Sequence, residues 1–189
     1  MRSFYHAYRL DFMLFMKVWG VGFFACGLSF WFLYLSQPPG DFPEAAYFFL
    51  LPVLIWFNCN PKPKVVLTTV FISGFIYHIG LIGWIRHVTL PGMILASIII
   101  TSYLLPWYFL CARWISRNAN AGFAARLSLI LALSSLWVMI EWGRSLFSLG
   151  FPWCPLSVTQ WERPAILQLV PLAGGWVVSF FLVFFNLCV

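Results

Sequence analysis

The chain has 189 residues, of which 62% are hydrophobic and only 8% charged, and its mean hydropathy is +0.91. That surplus excludes a soluble globular domain, whose exterior could not be made polar enough. The net charge of +6 comes without a basic run, so no nucleic-acid partner is expected. Membrane topology and anionic lipid account for the charge instead.

Six apolar stretches follow one another: Val18 to Leu35, Ala45 to Phe57, Val65 to Ile85, Thr89 to Ala112, Leu127 to Leu149 and Ala165 to Val189. Most reach the ~20 residues that a helix needs to cross the hydrocarbon core. The second is short and is expected to tilt little, thin the bilayer locally or form a partial span. The predicted fold is an all-α membrane protein, a polytopic bundle of about six transmembrane helices that occupies residues 1–189 as one domain.

Lysine and arginine alternate between the loops. Arg2, Arg9 and Lys17 precede the first span, Lys62 and Lys64 follow the second, and Arg113, Arg117 and Arg126 follow the fourth. These segments are expected to face the cytoplasm, placing both ends inside. The segments around Pro38, Arg86 and Glu162 are then outer. Pro38, Pro39 and Pro43 stop the first helix, while Pro52 and Pro106 fall within spans and permit kinks. Gly74, Gly80, Gly83, Gly174 and Gly175 are expected to let helices approach closely.

Five cysteines lie far apart and match no metal spacing, so neither a metal nor a cofactor is expected. His78 is expected to hydrogen-bond to a neighbouring helix rather than act as a base. Cys154 follows Trp153, but no convincing base accompanies it. Glu141 and Arg144 are three apart, so they share a helical face and can pair. They either wall a substrate cavity or fix the packing of the bundle. Beyond them, Gly150-Phe151-Pro152-Trp153 and Gln160-Trp161-Glu162-Arg163-Pro164 form a shaped outer loop whose indoles suit headgroup depth.

The stretch Trp137-Val138-Met139-Ile140-Glu141-Trp142-Gly143-Arg144, then Gly150-Phe151-Pro152-Trp153, then Ser157-Val158-Thr159-Gln160 and Pro164 resembles the fifth span and following outer loop of apolipoprotein N-acyltransferase. Pro38-Pro39, Leu51-Pro52-Val53-Leu54, Gly74 to Trp84 and Leu90-Pro91-Gly92 resemble that family's earlier helices. The resemblance implies a bacterial inner-membrane enzyme of lipoprotein maturation. Its partners would be a phospholipid acyl donor and a diacylglyceryl apolipoprotein. An acyl chain would pass through a cysteine thioester to the apolipoprotein's N-terminal amine.

In that family a Glu, Lys and Cys triad lies on a periplasmic nitrilase-like domain, and no residue of this sequence is assigned to it. Gly150, Phe151, Pro152 and Trp153 are carried over as the loop near the substrates, with Glu141 and Arg144 beneath. The C-terminal nitrilase-like domain is expected to be absent, so the chain alone should bind lipid without transferring it, unless a separately encoded nitrilase-like domain joins it. The rivals are a small transporter or channel subunit, against which the scarcity of polar residues in the spans counts, and a truncated remnant without function.

Overall fold

The computed structural model describes residues 2–38, 40–118, 121–146 and 153–189, with side chains from residue 18 onward. Among the described residues the regular structure is helical, without strands. Helix α1 spans Arg2–Ser36, α2 Leu51–Phe57, α3 Pro63–Leu81, α4 Leu90–Arg117 and α5 Phe123–Leu146. The last apolar stretch is divided into α6 (Pro164–Leu167), α7 (Val170–Ala173) and α8 (Gly175–Cys188). Tight 3-10 turns cover Pro43–Tyr47, Gly83–His87 and Leu156–Gln160.

The all-helical membrane fold stands as expected, but the number of full-length spans does not reach six. Four segments are long and apolar enough to cross a membrane: Val18–Ser36, α3, α4 and α5. A fifth arises if Pro164–Ala173 and Gly175–Cys188, bent by 119°, form one broken span. The second expected span shrinks to Pro43–Phe57, a 3-10 turn and a short helix. Pro43 and Pro52 each open one of these pieces and withhold a backbone donor, which divides the stretch. Pro52 therefore starts a helix rather than kinking one, whereas Pro106 lies inside α4.

Helices α1 and α3 run parallel, because Gly22, Phe30 and Tyr34 lie beside Thr69, Gly74 and Gly80 in that order. The 37–62 segment consequently brings the chain back along the bundle, despite its broken helices. A Cβ on Gly22 would stand 2.8 Å from the Trp56 ring and 3.1 Å from Thr69 Cγ2. Gly22→Leu is expected to cost about 1–3 kcal/mol of overpacking, whereas Gly20→Leu, with nothing within 4 Å of its Cβ, should be tolerated. Survival of the monodisperse protein after heating in detergent distinguishes the two.

Gly174 has φ +66° and ψ −161°, a region open to glycine and costly to residues with a Cβ. It makes the sharp bend before α8. Gly175 has a different task, since a Cβ there would meet Ser157 Oγ at 2.9 Å. Of these two glycines expected to serve packing, one serves the turn and one the contact. Gly74 does serve packing, with Thr101 and Phe30 close to its Cβ position.

Rings join the helices at the centre. Trp107, fully buried, meets Trp137 and Tyr108 edge-on, each with centroids 5.1 Å apart, and its Nε1 donates to Leu133 O at 2.8 Å. Phe30 lies between Tyr77 and Tyr108, while Phe49 meets Trp137. In lipid such packing holds helices together because the acyl chains outside are as apolar as the core.

Candidate functional site

The last turns of α5 place Glu141 and Arg144 beneath the segment that follows the helix. Both are buried, at 5% and 7% exposure. The expected direct pair does not form: no ion pair joins them among the described residues, where the salt bridge found is Arg163 with Glu44. Each side chain is instead turned to the loop. Glu141 Oε1 accepts from Trp137 Nε1 at 3.0 Å and from the backbone N–H of Leu156 at 2.7 Å. Arg144 Nη2 donates to Trp153 O at 3.1 Å.

Two charged side chains thus fasten the two ends of the 153–156 segment to α5. Charge-assisted bonds of this kind are about twice as strong as neutral ones. Further along, Gln160 Nε2 donates to Pro43 O at 3.0 Å, Tyr47 Oη donates to Gln160 Oε1 at 3.3 Å, and Arg163 pairs with Glu44. The loop is therefore stitched to both α5 and the Pro43–Tyr47 turn. Ser157 N–H adds a bond to Ser179 Oγ on α8 at 3.1 Å.

A cavity of about 20 Å³ lies inside this arrangement, lined by Gln37, Tyr77, His78, Glu141, Arg144 and Cys154 among others. Glu141 Oε2, Arg144 Nε and both amide atoms of Gln37 are buried without a protein hydrogen bond. The space and its polar lining meet the requirements of a buried water, which needs ~10–15 Å³ and two to four partners. His78 behaves as expected: Nδ1 lies 2.8 Å from Gly74 O and 2.9 Å from Thr101 Oγ1 on the neighbouring helix. Gly74 O can only accept, so Nδ1 carries the proton.

Trp153 is 44% exposed, and its ring packs against Trp84 with centroids 4.9 Å apart. Trp161 is likewise exposed. Cys154 adopts φ +54° and is half-buried. Burial pushes its thiol up, opposed by the smaller pull of Arg144. A raised thiol is the reverse of an activated nucleophile.

Of the six expected substrate-binding residues, Glu141, Arg144 and Trp153 come together at this end of the bundle. Gly150, Phe151 and Pro152 lie outside the described residues. Sequence reasoning missed two contributors here, Gln37 and Trp84, and a buried amide away from the site, Asn186. Gln37, placed in a surface turn by its proline neighbours, is 1% exposed and faces the cavity. Trp84 backs Trp153 from a different loop. Asn186 is fully buried, accepting from Leu50 N–H and donating to Ala46 O and Leu182 O. A lone amide inside an apolar span was the available signal for Asn186.

Residues 31–188 match the family model described as Apolipoprotein N-acyltransferase N-terminal domain. Among similar proteins, the apolipoprotein N-acyltransferase of Geobacter metallireducens is 27% identical over 162 residues, covering 82% of this chain and 30% of the relative. That of Azotobacter vinelandii is 29% identical over 159 residues, covering 77% and 29%. That of Pseudomonas putida is 32% identical over 122 residues, covering 57% and 23%. The chain therefore spans less than a third of the length of these relatives.

Proposed function

The chain belongs to the apolipoprotein N-acyltransferase family through that N-terminal domain, and from this membership we propose that it serves N-acylation of lipoproteins by presenting lipid substrates at the Trp153 end of its bundle. The donor is a phospholipid, and the acceptor is the N-terminal amine of a diacylglyceryl apolipoprotein. The setting is the bacterial inner membrane, crossed several times, with the 153–163 loop on the outer face. The transfer itself belongs to a nitrilase-like domain outside these residues, in the same product or encoded separately.

The observation that carries this reading is the fastening of an exposed tryptophan loop by two buried charges. Trp153 and Trp84 offer an aromatic surface at the depth where headgroups meet acyl chains. Glu141 and Arg144 position that surface from beneath, and Gly150, Phe151 and Pro152 are assigned to the same substrate-binding role from the family resemblance alone. Holding the surface in place before substrate arrives removes part of the ordering cost from binding.

Deletion of the gene in its source cell should cause diacyl lipoproteins with a free amine to accumulate, as read by mass spectrometry of lipoprotein N-termini. Restoring the gene with Trp153→Ala should leave the triacylated fraction forming about three- to tenfold more slowly, the equivalent of ~1 kcal/mol of lost aromatic contact. Undiminished triacylation after deletion would overturn the proposal.

A further inference from the structure

We propose that the groove between α1 and α3 binds one phospholipid acyl chain, from a lipid in the leaflet at the Ser36 end of the bundle. The groove has a volume of about 510 Å³ and an apolar lining. Gly27, Ser73 and Gly80 recess its surface, Phe30 and Tyr77 floor it, and Trp31 forms part of its wall. Nothing lies within 4 Å of a Cβ built on Gly27, and on Gly80 the nearest atom is Tyr34 Cε2 at 3.4 Å. Two glycines thus leave a channel where ordinary side chains would fit without steric need to exclude them.

The dimensions select the occupant. From Phe23 to Tyr34 the groove follows twelve residues of α1, about 16 Å of helix axis over eleven rises of 1.5 Å. That is half of a ~30 Å hydrocarbon core, the depth of one leaflet. A single extended hydrocarbon chain is narrow enough to lie along such a groove. The Trp31 and Tyr34 rings stack at 5.9 Å near the Ser36 end, where amphipathic rings suit the boundary between acyl chain and headgroup.

The groove also adjoins the polar cavity. Tyr77 lines both, so one side chain separates the bound hydrocarbon from the space shared by Gln37, Glu141 and Arg144. This inference rests on the membrane setting and on the groove, not on acyl transfer. Its failure would leave the proposed function untouched.

The test places the intact chain in nanodiscs of phosphatidylethanolamine and phosphatidylglycerol with a trace of phospholipid bearing a diazirine midway along one acyl chain. After illumination, adducts are mapped by peptide mass spectrometry. They should concentrate on 23–34 and 72–80, and Gly27→Leu should lower them about fivefold or more. Gly20→Leu lies one heptad away on the same face, equally open, and should leave them unchanged. Monodisperse elution of both variants establishes that each folds. Adducts equally dense on Ile55 and Leu95, exposed at 68% and 55%, would overturn the proposal, as would a Gly27→Leu variant that labels like the parent. So would a second copy of the chain found covering the groove.

Discussion

Glu141→Leu should destabilise the protein by about 2–4 kcal/mol and release the 153–156 segment from α5. One carboxylate oxygen holds both the Leu156 N–H and Trp137 Nε1, so the substitution orphans two buried donors together. Removing the carboxylate also leaves the buried Arg144 guanidinium without its nearby negative charge, and an uncompensated buried charge is costly. The relief of no longer burying a carboxylate offsets part of this, which keeps the estimate below the sum of two charged hydrogen bonds. Glu141→Gln retains an acceptor at the same place but loses the same negative charge, so it should cost about 1–2 kcal/mol, less than the leucine variant because neither donor is orphaned.

Two measurements check the result. Unfolding in detergent gives the stability difference between the leucine and glutamine variants. Limited chymotrypsin digestion gives the accessibility of the 153–163 loop, which should rise in the leucine variant alone. A leucine variant as stable as the parent, with an equally protected loop, would mean that the backbone of Leu156 finds another acceptor. If the loop is freed as expected, lipoprotein triacylation should fall in the same variant. Trp153 then keeps its indole but loses its position.

The legible part of this fold was what hydropathy and charge determine directly. Val18–Ser36, α3, α4 and α5 fall where uninterrupted apolar stretches predict them. The 43–57 and 164–188 stretches are equally apolar but divide, because Pro43, Pro52 and Gly174 act on the backbone and leave hydropathy unchanged. In the site, the three-residue spacing of Glu141 and Arg144 predicts a shared face, and they share one. Spacing cannot reveal that backbone groups from a later loop will compete for both side chains. Arg144 takes Trp153 O and Glu141 takes Leu156 N–H, so the direct pair gives way to two anchors. Gln37 was illegible for a related reason: its burial depends on helices that arrive later in the chain.

Asn186→Leu tests the other place where broken backbone meets lipid depth. Leu50 N–H falls between the Pro43–Tyr47 turn and α2, where no preceding helical turn supplies a carbonyl, and Asn186 Oδ1 accepts it at 2.9 Å. The amide nitrogen donates at 2.9 Å to Ala46 O and at 2.8 Å to Leu182 O, so one side chain on α8 satisfies both sides of the break. Side-chain hydrogen bonds between membrane helices average only ~0.6 kcal/mol, because the separated helices find other partners. An irregular backbone donor in hydrocarbon has fewer alternatives. The expected cost is therefore about 2–4 kcal/mol, well above that average, measured by unfolding in detergent. A cost near 0.6 kcal/mol would show that Leu50 N–H is readily satisfied elsewhere. In that case packing at Val178, Leu182 and Val183, all fully buried, would hold α8 in place, and the amide would be incidental to the break.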